Sequence, residues 1–126
     1  MTLTEMRDEV AEALTDAGFT AAAFIPEQIN TFPMALVGPG TPYIQPRDFK
    51  TFDGKNYTVR LEVTLIVALV VNDETTKQLD GLVVDALKAT CLTHDWNLEQ
   101  VGEPGVIQGT NLFGVNMTIT NRLEVN

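Results

Sequence analysis

The feature that most constrains this chain is an unbroken alternation from Tyr57 to Val71, "YTVRLEVTLIVALVV". It puts Tyr57, Val59, Leu61, Val63, Leu65, Val67, Leu69 and Val71 on one side of an extended backbone. A period of two sustained over this length is a strand, and its wholly apolar face must be buried. The opposite face changes character midway: Thr58, Arg60, Glu62 and Thr64 are polar, whereas Ile66, Ala68 and Val70 are apolar. The apolar half is therefore expected to be covered on both sides. At ~3.3 Å per residue the strand would span about 50 Å, more than twice an ordinary one. Its polar half is expected to project beyond the body, as an arm or against a neighbouring subunit.

Two amphipathic helices bracket this strand. Leu3, Met6, Val10, Leu14 and Ala17 recur at helical spacing. Thr2 and Glu5 stand at capping-box spacing, Asp8 and Glu9 lie early in the helix where its dipole favours acids, and Gly18 suits a left-handed stop. After the strand, "NDETTKQLDGLVVDALKAT" sets Leu79, Leu82, Val83, Ala86 and Leu87 on one stripe, with Asn72 or Thr75 as the cap. Gly81 inside this helix costs about 1 kcal/mol relative to alanine, and close packing against another backbone is the expected reason.

Short strands complete the pattern. "FTAAAFIP" is closed by Pro26 and "PMALVG" by Gly38. The tail reads as a meander through "DWNLEQVGEPG", "VIQGTN" and "LFGVNMTITNRLEV", with turns at Gly102–Gly105 and Gly109–Asn111. The expected fold is α+β over residues 1–126 as one domain. It is a mainly antiparallel sheet with two helices packed on one face, because each helix has a single apolar stripe to bury. A long loop and the extended strand are expected to project toward neighbouring subunits.

That loop, residues 38–56, is the organisational anomaly. It holds Pro39, Pro42, Pro46, Tyr43, Phe49 and Phe52 together with Arg47, Lys50 and Lys55, three of the eight basic residues. Unpatterned loops beyond ~12–15 residues are usually functional or disordered, and this one is too aromatic for a plain linker. One reading folds it over its own domain. The other makes it a docking element, since aromatic and cationic side chains are what interfaces use as anchors. The expected interface set is Tyr43, Arg47, Phe49, Lys50, Phe52, Lys55, Arg60 and Glu62.

Charge narrows the function. Seventeen acids against eight bases give −9, a surface that repels a phosphate backbone. No apolar run approaches the ~18–20 residues of a membrane span, and the acidic N-terminus lacks the basic region of a signal peptide. The lone Cys91 excludes an internal disulfide framework and fits assembly in a reducing cytosol.

Candidate chemistry is sparse. Cys91, His94 and Asp95 lie together in "CLTHDW", where a thiolate nucleophile or half a metal site is conceivable. A zinc site needs about four ligands, and the chain has no further His or Cys. The expectation is that Cys91 is a small buried hydrophobe and His94 a cation at a helix C-terminus. "GPGTP" lacks the Lys-Ser/Thr of a phosphate loop, and its prolines remove backbone donors. Acid pairs such as Asp73–Glu74 sit at helix starts, where the dipole accounts for them. No enzyme and no cofactor is expected.

The capped first helix, "FPMALVGPG" running into the loop, "TFDGKNYTVRLEVTLIVALV", the second helix and the closing meander together resemble the tail terminator (tail completion) proteins of long-tailed, non-contractile bacteriophages. The resemblance covers essentially the whole chain. It implies a small α+β virion protein, assembled in the host cytoplasm, that forms a ring of about six copies at the head-proximal end of the tail tube. Its partners would be copies of itself, the tail tube protein and the head-neck connector protein, with no membrane. DNA would pass the channel without specific binding, past about −54 of summed charge. The family carries no residue motif sharp enough to transfer a role to any one position. Alternatives are a head-closure or adaptor protein of the neck and, from another class, a small ligand-binding or enzymatic domain using Cys91 and His94.

Overall fold

The computed structural model describes residues 2–22, 33–46, 56–67, 73–106 and 113–124. In chain order these form α1 (Leu3–Asp16), β1 (Thr20–Ala22), β2 (Met34–Pro46), β3 (Asn56–Val67), α2 (Asp73–Leu87), β4 (Asn97–Val101), β5 (Gly105–Val106) and β6 (Phe113–Glu124). A π-helical turn, Lys88–Leu92, continues α2.

The capping signals work as the residues require. Thr2 Oγ1 accepts from Glu5 N at 3.1 Å and donates to Glu5 Oε1 at 3.2 Å. At the far end Gly18 adopts φ 103°, the left-handed geometry that lets Phe19 N reach Leu14 O at 3.1 Å. Phe19 is thereby folded back into the core.

The sheet has the order β1-β2-β3-β6-β4, with β5 also on β6; β1 runs parallel to β2 and every other pair is antiparallel. β3 is central. From Asn56 to Val67 it pairs residue for residue with β6, and on its other edge it pairs with β2. Val59, Leu61, Val63, Leu65 and Val67 are all buried and share one cluster with Met6, Val10 and Leu14 of α1, Leu79 and Ala86 of α2, and Trp96. Both helices therefore lie on the same face of the sheet, as the single apolar stripes demand. On the opposite face Ile66 is also buried, in keeping with the change of character expected there.

Three local expectations change. The strand expected to close at Gly38 runs on to Pro46, so the first half of the 38–56 excursion is sheet. The physical reason is that β1 pairs only with Met34–Leu36. Past Leu36 the outer edge of β2 has no partner among the described residues, and an edge strand tolerates proline wherever the missing N–H points away from its neighbour. The register of β2 against β3 shifts between Pro39 and Ile44, around a cis Thr41–Pro42 peptide.

Secondly, the polar half of β3, expected to stand out as an arm, is bracketed within this chain: Tyr57 pairs with Pro46 on one side and Leu123 on the other. Two further strand neighbours stabilise it better than solvent does, and Val59 and Leu61 are fully buried there. Thirdly, Gly81 is exposed and no atom stands within 4 Å of where a Cβ would sit, so close packing does not explain it. Of "FTAAAFIP", Thr20–Ala22 is strand, and Ala23–Pro26 lie outside the described residues.

Candidate functional site

Of the eight residues expected at an interface, Arg47, Phe49, Lys50, Phe52 and Lys55 lie outside the described residues. The other three are placed, and Arg60 and Tyr43 make bonds inside their own chain. Arg60 projects from β3 on the face away from the helices. Its Nε donates to Glu99 Oε2 of β4, and its Nη1 donates to Pro42 O at 2.9 Å and Gln45 Oε1 at 3.2 Å of β2. One guanidinium thus ties three strands together, using the several fixed donors that set arginine apart from lysine. Gly40 makes room for it: a Cβ there would meet Arg60 Cγ and stand 3.0 Å from Arg60 O.

Tyr43 is half-buried, and its hydroxyl accepts a hydrogen bond from Arg7 Nη2 at 2.8 Å. The Arg7 guanidinium carbon lies 5.4 Å from the ring centroid, within cation–π range. This pair fastens the N-terminal half of α1 to β2 within its register shift. Glu62 is half-buried, in register with Gly38 of β2 and Thr118 of β6 on the face that carries Arg60. That face continues polar across β6, where Asn116 Oδ1 lies 2.9 Å from Thr64 Oγ1 and Arg122 donates to Asn56 Oδ1 from both Nε and Nη2.

The Cys91–His94 set does not form a catalytic pair. The Cys91 Sγ lies 3.5 Å from Thr90 Oγ1, whose hydroxyl also donates to Ala86 O at 2.9 Å. His94 Nδ1 instead faces Glu9 Oε1 of α1 at 3.3 Å. The π turn that carries Cys91 is closed by Thr93, whose N and Oγ1 both reach Lys88 O, at 3.1 and 3.0 Å. Among the described residues no three His, Cys, Asp or Glu side chains converge as metal ligands.

Beside His94 the end of α1 and the α2–π turn junction leave a cleft of about 410 Å³, lined by Asp16, Asp85, Lys88, Thr93 and His94 with alanines between them. Cys91 does not line it. Its charges are mixed, its one hydroxyl already donates to a backbone carbonyl, and it brings together no nucleophile with a base. Its geometry does not define a reaction.

The meander expected through "DWNLEQVGEPG" is present: β4 and β5 flank the expected turn and both pair with the outer edge of β6. What sequence reasoning did not give at the β4–β5 edge is its exposure, with Leu98, Val101 and Val106 open to solvent. Leu98 and Val101, three residues apart, come to one face only through the register shift between Leu98 and Gln100. Among the described residues no helix is long and apolar enough to cross a membrane.

The arrangement defines an α+β protein in which Arg7, Arg60 and Arg122 bond across elements to Tyr43, Glu99 and Asn56. Set against known proteins, the chain is similar in fold to bacteriophage SPP1 gp17: the likeness covers 98% of this chain and 88% of that one, at a TM-score of 0.50 and 13% identity. No protein-family model matches the chain, and no curated protein sequence matches it.

Proposed function

We propose that the protein is a structural, non-enzymatic component of a phage tail, forming a ring of about six copies at the head-proximal end of the tail tube. There it would end tube polymerisation and present a surface to the head-neck connector. The observation that carries this reading is the fold likeness to a bacteriophage protein along nearly the whole chain, which agrees with the order of elements read from the sequence. Two further observations support it. Cys91 and His94 contact Thr90 and Glu9 rather than each other, and the chain's −9 charge suits a channel that a DNA polyanion must traverse without sticking.

Deleting the gene tests the reading directly. Overlong tail tubes and heads without tails are expected by electron microscopy, with the protein located at the tail's upper end in wild-type particles at about six copies. Tails of normal length from the deletion would overturn it. Normal tails with heads that leak DNA would point to a head-closure role instead.

A further inference from the structure

Helix α2 ends on a change of register. From Asp73 to Leu87 it is α-helical, and from Lys88 to Leu92 it widens to the π turn, in which Thr93 N donates to Lys88 O, five residues back, at 3.1 Å. A π turn holds one residue more than the α turn it replaces, so the side chains after it are rotated by about 100° from their α positions. The residue displaced here is Leu92. Asp85, Lys88 and Ala89 line the cleft between α1 and this junction, and in an unbroken α-helix the next residue on that stripe is Leu92. The π turn brings Thr93 to the cleft instead and leaves Leu92 80% exposed, more than any other large apolar side chain among the described residues.

The cleft suits the side chain that the π turn points away from it. Ala13, Ala17 and Ala89 contribute only methyl groups to its lining, while the charged residues there, Asp16, Asp85 and Lys88, are exposed to water. A leucine seated among those alanines buries apolar surface on both sides. Two side-chain contacts hold the π register against this. Thr93 Oγ1 adds a second bond to Lys88 O at 3.0 Å, and His94 Nδ1 stands 3.3 Å from Glu9 Oε1. Both lie at the surface, where such contacts contribute little. Upstream, Thr90 Oγ1 donates to Ala86 O, four residues back, a bond that an α register keeps. Downstream, the bend over residues 93–95 takes up the released residue before Trp96, which is seated in the core.

We infer that the end of α2 is a two-register switch that opens and closes this cleft. In the π register the cleft is open and Leu92 stands in solvent. In the α register Leu92 N takes Lys88 O from Thr93 N, the leucine side chain fills the space beside Ala13 and Ala17, and His94 leaves Glu9. The exposure of Leu92 and the opening of the cleft are therefore one event, so anything that covers Leu92 from outside also holds the cleft open. Helix register shifts of this kind run on the microsecond-to-millisecond scale.

Methyl NMR on the full-length chain reads the two registers. Thr93→Val removes the hydroxyl bond at nearly constant shape, and His94→Ala removes the contact with Glu9. Together they should strengthen the Overhauser contacts from the Leu92 methyls to the Ala13 and Ala17 methyls about tenfold over wild type, in which the α register is the minor state. If the double variant melts early, Thr93→Val alone is read and should shift the same contacts in the same direction. Leu92→Glu changes a side chain that is already exposed and should fold as wild type does. It should abolish the microsecond-to-millisecond relaxation dispersion that the wild-type Ala13 and Ala17 methyls show, because a carboxylate does not enter the cleft. A folded variant in which Leu92 makes no stronger contact with α1, or dispersion that is absent from wild type or survives Leu92→Glu, would overturn the inference. Tails of normal length from the deletion strain would sink the terminator reading and leave the switch standing.

Discussion

Arg60 of β3 and Glu99 of β4 form an ion pair across the width of β6, the strand that separates them in the sheet. The same guanidinium bonds Pro42 O and Gln45 Oε1 on the other side. Arg60→Ala should therefore lower stability by about 1–2 kcal/mol in urea titrations. The cost is bounded because Glu99 is partly exposed and regains water when unpaired. Arg60→Met, which keeps the stem, should recover part of that loss through packing alone.

Gly40 is buried and faces the backbone and stem of Arg60. Gly40→Ala pushes a methyl group toward Arg60 O at 3.0 Å and into its Cγ, and the backbone on that side is held in the centre of the sheet. A loss of about 1–3 kcal/mol is expected, read as a fall in melting temperature. Combining Gly40→Ala with Arg60→Ala should cost less than the sum of the two, because the clash loses its stem component.

Gly81 presents the opposite case. It sits exposed within α2, with open space where a Cβ would be and no left-handed backbone to protect. Gly81→Ala should raise stability by about 0.5–1 kcal/mol, since alanine restricts the unfolded chain and propagates helix better. Denaturant midpoints with an unchanged slope would verify this.

Tyr43→Phe removes the acceptor of Arg7 Nη2 while keeping the ring beneath the guanidinium. Arg7 Nε is already buried without an acceptor among the described residues, so a second unmet donor should cost about 1 kcal/mol. Slower hydrogen exchange in β2 of the native protein than in the variant would place the effect at the strand that Arg7 holds.

The sequence by itself determined the elements whose information is local and periodic. The alternation from Tyr57 named the central strand and its buried face, Thr2 with Glu5 and Gly18 set the ends of α1, and single apolar stripes put both helices on one side of the sheet. Tertiary structure decided what depends on who stands next to whom. Whether Pro39, Pro42 and Pro46 end a strand or line its edge turns on which strand stands beside β2, and among the described residues β1 pairs it only as far as Leu36, which local propensity does not encode. That Arg60 would bond Gln45 and Glu99 was not legible, because spacing along the chain is blind to the partners that sheet order brings beside it. Leu98, Val101 and Val106 look like ordinary core residues until the extent of helix cover is known, because exposure is a property of the assembled layers.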